Sequence, residues 1–126
     1  MRITMIAFGT RGDVQPAVAL GKALKAVGHS VRILAGANFK AWIERHGLEA
    51  VASRINIQSV MESDLGRDWI ETSGNPIAEM RVIKKLTEQT GWQMMMDAWE
   101  ACRDAEAIFS SFTSDIYALS IAEKLG

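Results

Sequence analysis

Two prolines, two histidines, one tyrosine and one cysteine are scattered thinly over 126 residues. A lone cysteine excludes an internal disulfide, and its place in a helical pattern marks Cys102 as a small core residue of a protein kept in a reducing compartment. One cysteine with two histidines far apart in sequence, His29 and His46, makes no metal-binding pattern. Charge of either sign is not in excess: 14 Lys and Arg stand against 15 Asp and Glu, for a net charge of -1. The densest basic spot is the pair Lys84-Lys85, too little to neutralise a nucleic-acid backbone, so no nucleic-acid partner is expected. No apolar run approaches the ~20 residues that span a bilayer. Met1-Arg2 leads into a strand pattern rather than a signal peptide, and a soluble, cytoplasmic protein is expected. What is present, 48% hydrophobic and 23% charged residues, suits one ordinary globular core.

The most informative stretch is Met5 to Gln15. An apolar run, Ile3 to Phe8, breaks off into Gly9-Thr10-Arg11-Gly12-Asp13, and a helical pattern follows at once. That order predicts a buried strand, a glycine-rich turn and a helix N-terminus. Glycines permit close backbone approach and the unpaired N–H groups of a helix start attract anions, so such turns hold ligands. The turn also presents one carboxylate, Asp13.

Further along, spacings of three and four predict a helix over Pro16 to Val27, closed by Gly28. Val31 to Ala35 reads as a second strand, and Asn38 as the cap of a helix running to His46. Glu49 to Ala52 is a brief third strand. Between Ser53 and Pro76 the periodicity fades into a long loop of the kind that often carries function. Ile77 to Thr90 and Trp92 to Ala105 read as two helices joined through Gly91. Ala107 to Ser111 is a fourth strand, and Thr113 or Ser114 caps a last helix from Asp115 to Leu125. Alternation of strand and helix predicts an α/β fold, a Rossmann-like parallel sheet with helices on both faces and consecutive strands as neighbours. Ligands in such folds lie outside the carboxyl ends of the strands, which brings Gly9 to Asp13, Gly36 to Phe39 and Ser111 to Ser114 to one rim.

The turn lacks the Gly-x-Gly-x-x-Gly fingerprint, and no acidic residue ends the second strand, so a nicotinamide or flavin site is not expected. No Lys-Ser or Lys-Thr follows the turn, which excludes a Walker loop. A response regulator needs acidic residues where Phe8 and Ala52 stand.

Gly9-Thr10-Arg11-Gly12-Asp13-Val14-Gln15-Pro16, then Ala19-Leu20-Gly21-Lys22-Ala23-Leu24, Gly28-His29-Ser30-Val31 and Gly47-Leu48-Glu49 resemble the N-terminal domain of two-domain, GT-B type glycosyltransferases. The likeness is to those that glucosylate sterols and antibiotic aglycones from a UDP- or dTDP-sugar. It covers residues 1 to 50 and returns at Trp99 to Gly126. The resemblance implies an inverting transfer of a hexose from a nucleotide-sugar to a hydroxyl of an apolar acceptor of sterol, macrolide, flavonoid or glycopeptide type. It implies no cofactor beyond the UDP- or dTDP-hexose co-substrate. It also implies that residues 1–126 form an incomplete N-terminal acceptor-binding domain, with the nucleotide-sugar domain absent and the isolated piece inactive.

Asp13 matches the loop carboxylate proposed as the base of this family; as a residue, it reads equally as a helix cap. Gly9, Thr10, Arg11 and Gly12 are the acceptor and donor loop. Trp69, Met94, Ser111 and Thr113 are candidates for the acceptor pocket, Met94 because three consecutive methionines cannot all face the core. His29 and His46 read as structural. A sheet cut short exposes an edge, so self-association is expected. Two other readings stay open: a non-catalytic acceptor-binding or split-subunit module, and an unrelated phosphate-binding doubly wound domain.

Overall fold

The computed structural model describes residues 1–55, 59, 62–111 and 114–126. Four strands, β1 (Arg2–Ile6), β2 (Ser30–Gly36), β3 (Glu49–Ser53) and β4 (Ala107–Ser110), form one parallel sheet in the order β3-β2-β1-β4. The helices are α1 (Arg11–Ala26), α2 (Lys40–Arg45), α3 (Asp64–Glu71), α4 (Pro76–Cys102) and α5 (Asp115–Leu125).

β1 and β2 are buried almost throughout because both faces are covered, as in parallel sheets generally. On one face Ile3, Met5 and Ala7 meet Val14, Ala17 and Val18 of α1 and Ile43 of α2. On the other, Ile6, Phe8 and Leu34 meet Ala98, Ala101 and Cys102 of α4 and Ala118 and Ile121 of α5. Met5, Ile33 and Leu34 are fully buried, each contributing about 1.5–3 kcal/mol. Gly21 lets α1 lie close on the sheet, since a Cβ there would stand 3.1 Å from Leu48 and 3.3 Å from Val31.

Consecutive strands are neighbours only as far as β3. The fourth strand returns past two others to pair with β1, Ile3 opposite Ala107, so strand order reverses between β1 and β4.

Several boundaries differ from the sequence reading. α1 begins at Arg11 rather than Pro16, with Thr10 as N-cap, and Pro16 lies inside the helix. Asn38 does not cap α2; it sits in a 3-10 turn, Ala37–Phe39, that precedes it. The long loop holds α3, capped by the Ser63 hydroxyl accepting the Gly66 N–H at 3.3 Å. The two helices expected on either side of Gly91 are one, of 27 residues, started by Asn75 accepting the Ala78 N–H. Gly91 is buried and makes no break, because a single glycine costs a helix only about 1 kcal/mol.

Candidate functional site

The carboxyl ends of β1 and β4 flank the point where strand order reverses, the place where open α/β sheets bind ligands. β1 runs out through Ala7 and Phe8 into Gly9, whose φ is +132°. This is a conformation for glycine, and it turns the chain directly into α1. Asp13 occupies the third position of α1 and leans back over the turn. Its Oδ2 accepts the Thr10 N–H at 3.3 Å, the returning arm of a capping box. A Cβ on Gly9 would stand 2.1 Å from that same oxygen. Asp13 is therefore not the helix cap; the cap is Thr10, and Asp13 is half-buried above the mouth of β1. Gly12 has open space at its Cα, the nearest side-chain atom to an added Cβ being Thr10 Oγ1 at 3.7 Å.

Arg11 points back onto α2, its guanidinium 5.6 Å from the Trp42 ring centre. A cation held over an indole face gains about 0.5–1 kcal/mol. This contact fastens the glycine turn to the neighbouring helix. Trp42 in turn meets His46 edge-on at 5.1 Å. His29 lies at the other end of the sheet, its Nδ1 3.2 Å from the N-terminal amine. Both histidines are therefore part of the scaffold.

On the β4 side, Ser114 is buried at the N-cap position of α5, where its hydroxyl makes no capping bond and serves the β1 loop instead. Ser114 Oγ accepts the Phe8 N–H at 3.4 Å and lies 3.3 Å from Ser111 Oγ. Ser111 N–H in turn donates to the Ile6 carbonyl. The loops after β1 and β4 are thus tied to each other. Thr113 lies outside the described residues.

Met94 lies beside this corner, half-buried on the apolar cluster that includes Phe8, with the Tyr117 hydroxyl 3.7 Å from its sulfur. Tyr117 packs edge-on to Phe8 at 5.6 Å. Met94 is accordingly not the methionine that leaves the inner face. The residue of that stretch in solvent is Trp92, 77% exposed. Trp69 belongs to the α3–α4 pair, its indole N–H donating to Glu79 at 3.3 Å.

Sequence reasoning passed over Asp97. This carboxylate is buried on α4 at the carboxyl end of β3. It accepts the Ser53 hydroxyl at 2.9 Å, the Arg54 N–H at 3.0 Å, the Arg54 Nε at 2.7 Å and the Gln93 amide at 3.0 Å. Burial alone pushes the Asp97 carboxyl up, but the donors from Arg54, Ser53 and Gln93 outweigh it and hold it below the ordinary carboxylate range. It fixes where the chain leaves β3. The sequence signal was an acid among Met, Ala and Trp four residues after Gln93. Arg32 is a similar case on β2, bound to Glu49 at 2.9 Å and Asp104 at 2.8 Å. No cluster of three or more His, Cys, Asp or Glu able to hold a metal exists among the described residues. No helix among them is long and apolar enough to cross a membrane.

A family model for the glycosyltransferase family 28 N-terminal domain matches residues 3–123. The sterol 3-beta-glucosyltransferase of Pichia angusta is 34% identical over 98% of the chain, and the chain spans only 10% of that relative's length. Among solved structures, SsfS6, a glycosyltransferase of Streptomyces sp. SF2575, aligns with a TM-score of 0.71 at 21% identity, over 100% of this chain and 37% of its own. The glycosyltransferase VinC, solved in complex with dTDP, aligns with a TM-score of 0.64 at 20% identity, over 97% of this chain and 33% of its own. These two likenesses establish a shared fold, the Rossmann-like N-terminal half of GT-B glycosyltransferases. Motif, sheet order and family match agree, and the chain belongs to the glycosyltransferase family 28 N-terminal domain family.

Proposed function

We propose that this domain is the acceptor-holding half of an inverting glycosyltransferase that moves a hexose from a UDP- or dTDP-sugar to a hydroxyl of an apolar acceptor, a 3-hydroxysterol being the first choice. Family membership sets aside the unrelated phosphate-binding domain. The sterol choice follows from the Pichia relative, and a nucleotide-sugar from the family and from VinC's dTDP. The observation that carries the reading is the carboxylate of Asp13, held at the mouth of β1 beside the strand-order reversal.

Asp13 is the base in this reading. Thr10 N–H holds Oδ2, and Oδ1 takes the proton of the acceptor hydroxyl as its oxygen attacks the anomeric carbon. The nucleotide diphosphate leaves from the opposite side of that carbon, which inverts the configuration. Gly9 makes room for the Asp13 carboxylate and Gly12 leaves open space for the acceptor hydroxyl, and Thr10 and Arg11 border the donor. Met94, Ser111, Thr113 and Trp69 border the apolar body of the acceptor. A second domain grips the nucleotide-sugar, so the 126 residues alone turn nothing over.

Asp13→Asn tests the base, because an amide oxygen still accepts the Thr10 N–H while basicity is lost. The chain is joined to the nucleotide-sugar half of a related sterol glucosyltransferase and assayed with UDP-glucose and a 3-hydroxysterol. The expected result is glycoside formation whose kcat falls by about 10²-fold or more in Asp13→Asn, with the sterol KM little changed. Turnover retained in the variant would reduce Asp13 to its capping role.

A further inference from the structure

Helices α4 and α5 pack together on one face of the sheet, with the Tyr117 hydroxyl against the Met94 sulfur. Beside that contact a cleft of about 390 Å³ lies between them. Trp92, Met95, Met96 and Trp99 supply the α4 wall, at steps that keep them on one face of the helix, and Ile121 and Lys124 face them from α5. Ile121 is buried and forms the floor. Met95, Met96 and Trp99 are half-buried walls, and the exposed Trp92 is the lip. At about 1.5 Å of rise per residue, Ser120 to Lys124 lie about 9–15 Å along α5 from Ser114 at the rim. The cleft is therefore separate from the corner that holds Asp13.

Its polar groups are few and of one kind. Ser120, also in the lining, gives its proton to the Ile116 carbonyl at 2.9 Å. Lys124 is the one charged side chain of the lining, and among the described residues it has no ion pair. The exposed acids of α4 on either side are engaged elsewhere, Glu88 with Lys84 at 4.0 Å and Glu100 with Arg54 at 3.6 Å. A concave site of a few hundred Å³, apolar and aromatic with one convergent polar group, is the ordinary form of a small-molecule site. Thioether side chains let such a wall adapt to the shape it meets. A plain hydrocarbon would leave the ammonium of Lys124 unused, and an apolar cation would be repelled by it. A carboxylate on a hydrocarbon chain satisfies both parts, the chain between indoles and thioethers and the head on Lys124. We propose that the α4–α5 cleft is a second ligand site, which binds a single long-chain carboxylate. The proposal goes beyond the transfer chemistry and does not rest on it, for the cleft binds or fails to bind whether or not Asp13 is a base.

The test is calorimetric titration of the 126-residue chain with octanoate and decanoate, kept monomeric and ionised at mildly alkaline pH, beside decanol and decyltrimethylammonium. Saturable binding of one decanoate is expected, about tenfold tighter than octanoate because two more CH₂ groups are buried. Decyltrimethylammonium is expected not to bind. Lys124→Gln is expected to weaken decanoate about fivefold and leave decanol unchanged, and Trp92→Ala to weaken both. Lys22→Gln, an exposed charge change on α1, is expected to alter neither, and circular dichroism verifies that each variant is folded. Methyl resonances of Met95 and Met96 should shift with decanoate, while that of Met5, in the core on the other face of the sheet, should not. No binding, equal affinity for decyltrimethylammonium, undiminished decanoate affinity in Lys124→Gln, or shifts that spare Met95 and Met96 would overturn the proposal. A dimer in sedimentation that Trp92→Ala dissociates, without decanoate binding, would assign the cleft to a second copy of the chain instead.

Discussion

Replacing Asp97 with alanine removes the one acceptor that Ser53, Arg54 and Gln93 share. Its two oxygens divide the work: Oδ2 takes the Ser53 hydroxyl and the Arg54 N–H, Oδ1 the Arg54 Nε and the Gln93 amide. In Asp97→Ala all four donors lose their partner and a buried space opens. Breaking a buried charged network from one side costs about 3–5 kcal/mol. Asp97→Asn should cost far less. With its oxygen at the Oδ2 position it still serves Ser53 and Arg54 N–H, and Gln93 can turn its amide to offer an oxygen. Arg54, more than half exposed, swings to water. The expected cost is about 1 kcal/mol, one ordinary hydrogen bond. The pH dependence has a fixed sign. A carboxyl held below its unfolded value contributes stability above that unfolded value, near pH 4, and loses it as pH falls through the folded one. Urea unfolding of both variants and the parent, at neutral pH and in acid, decides the matter. Equal losses in Asn and Ala, or an Asn variant that keeps the parent's acid sensitivity, would refute the assignment of Asp97 as an ionised hub.

Other expectations concern single positions. Gly9→Ala places a methyl group against Asp13 Oδ2 at a backbone angle hostile to side chains, and should cost about 1–3 kcal/mol in denaturant unfolding; a neutral result would contradict the turn geometry. Cys102 is buried, and burial pushes its thiol up to about 11, so iodoacetamide at mildly alkaline pH should label it only after unfolding. Gly21→Leu should destabilise by more than about 2 kcal/mol, since α1 would have to lift from Leu48 and Val31; thermal melting would detect this as a lower Tm.

The strands and the α1 turn were legible because they obey local rules. Apolar runs covered on both faces read as strands, and Gly9 and Gly28 announced the turns on either side of α1. The apolar spacing that marks α1 begins only beyond Pro16, so its start was placed five residues late. In the structure Pro16 sits six residues in, and Thr10 with Asp13 starts the helix instead. Strand order was half legible, for nothing local says that β4 pairs with β1 rather than β3. Asp97 and Arg32 escaped for a related reason: their partners lie 44 and 72 residues away, and pairing at that range leaves no periodic trace. That Met94 stays on the apolar cluster while Trp92 stands in solvent was not legible either, because cover by another helix is a tertiary fact.

The pairing of β1 with β4 bears on how the chain is assembled. β1, the second residue onward, gains β2 after a loop and helix of ordinary length, but its other edge waits for residues 107–110. During synthesis β1, an inner strand of this sheet, is therefore an outer one until residue 110 has emerged. Closing a loop of that length costs only slightly more entropy than closing a short one, since the penalty grows logarithmically. Time is the larger burden: long-range parallel pairing is slow, and an unpaired strand edge is a template for the wrong neighbour. The grip of Arg2 on the Asp104 carbonyl and on Glu106, with Thr4 on the Ala101 carbonyl, clamps β1 to the last turn of α4 and to the turn that leads into β4 as the late strand arrives. Pulse-labelled hydrogen exchange should accordingly protect the β1–β2 amides first and those of β4 last.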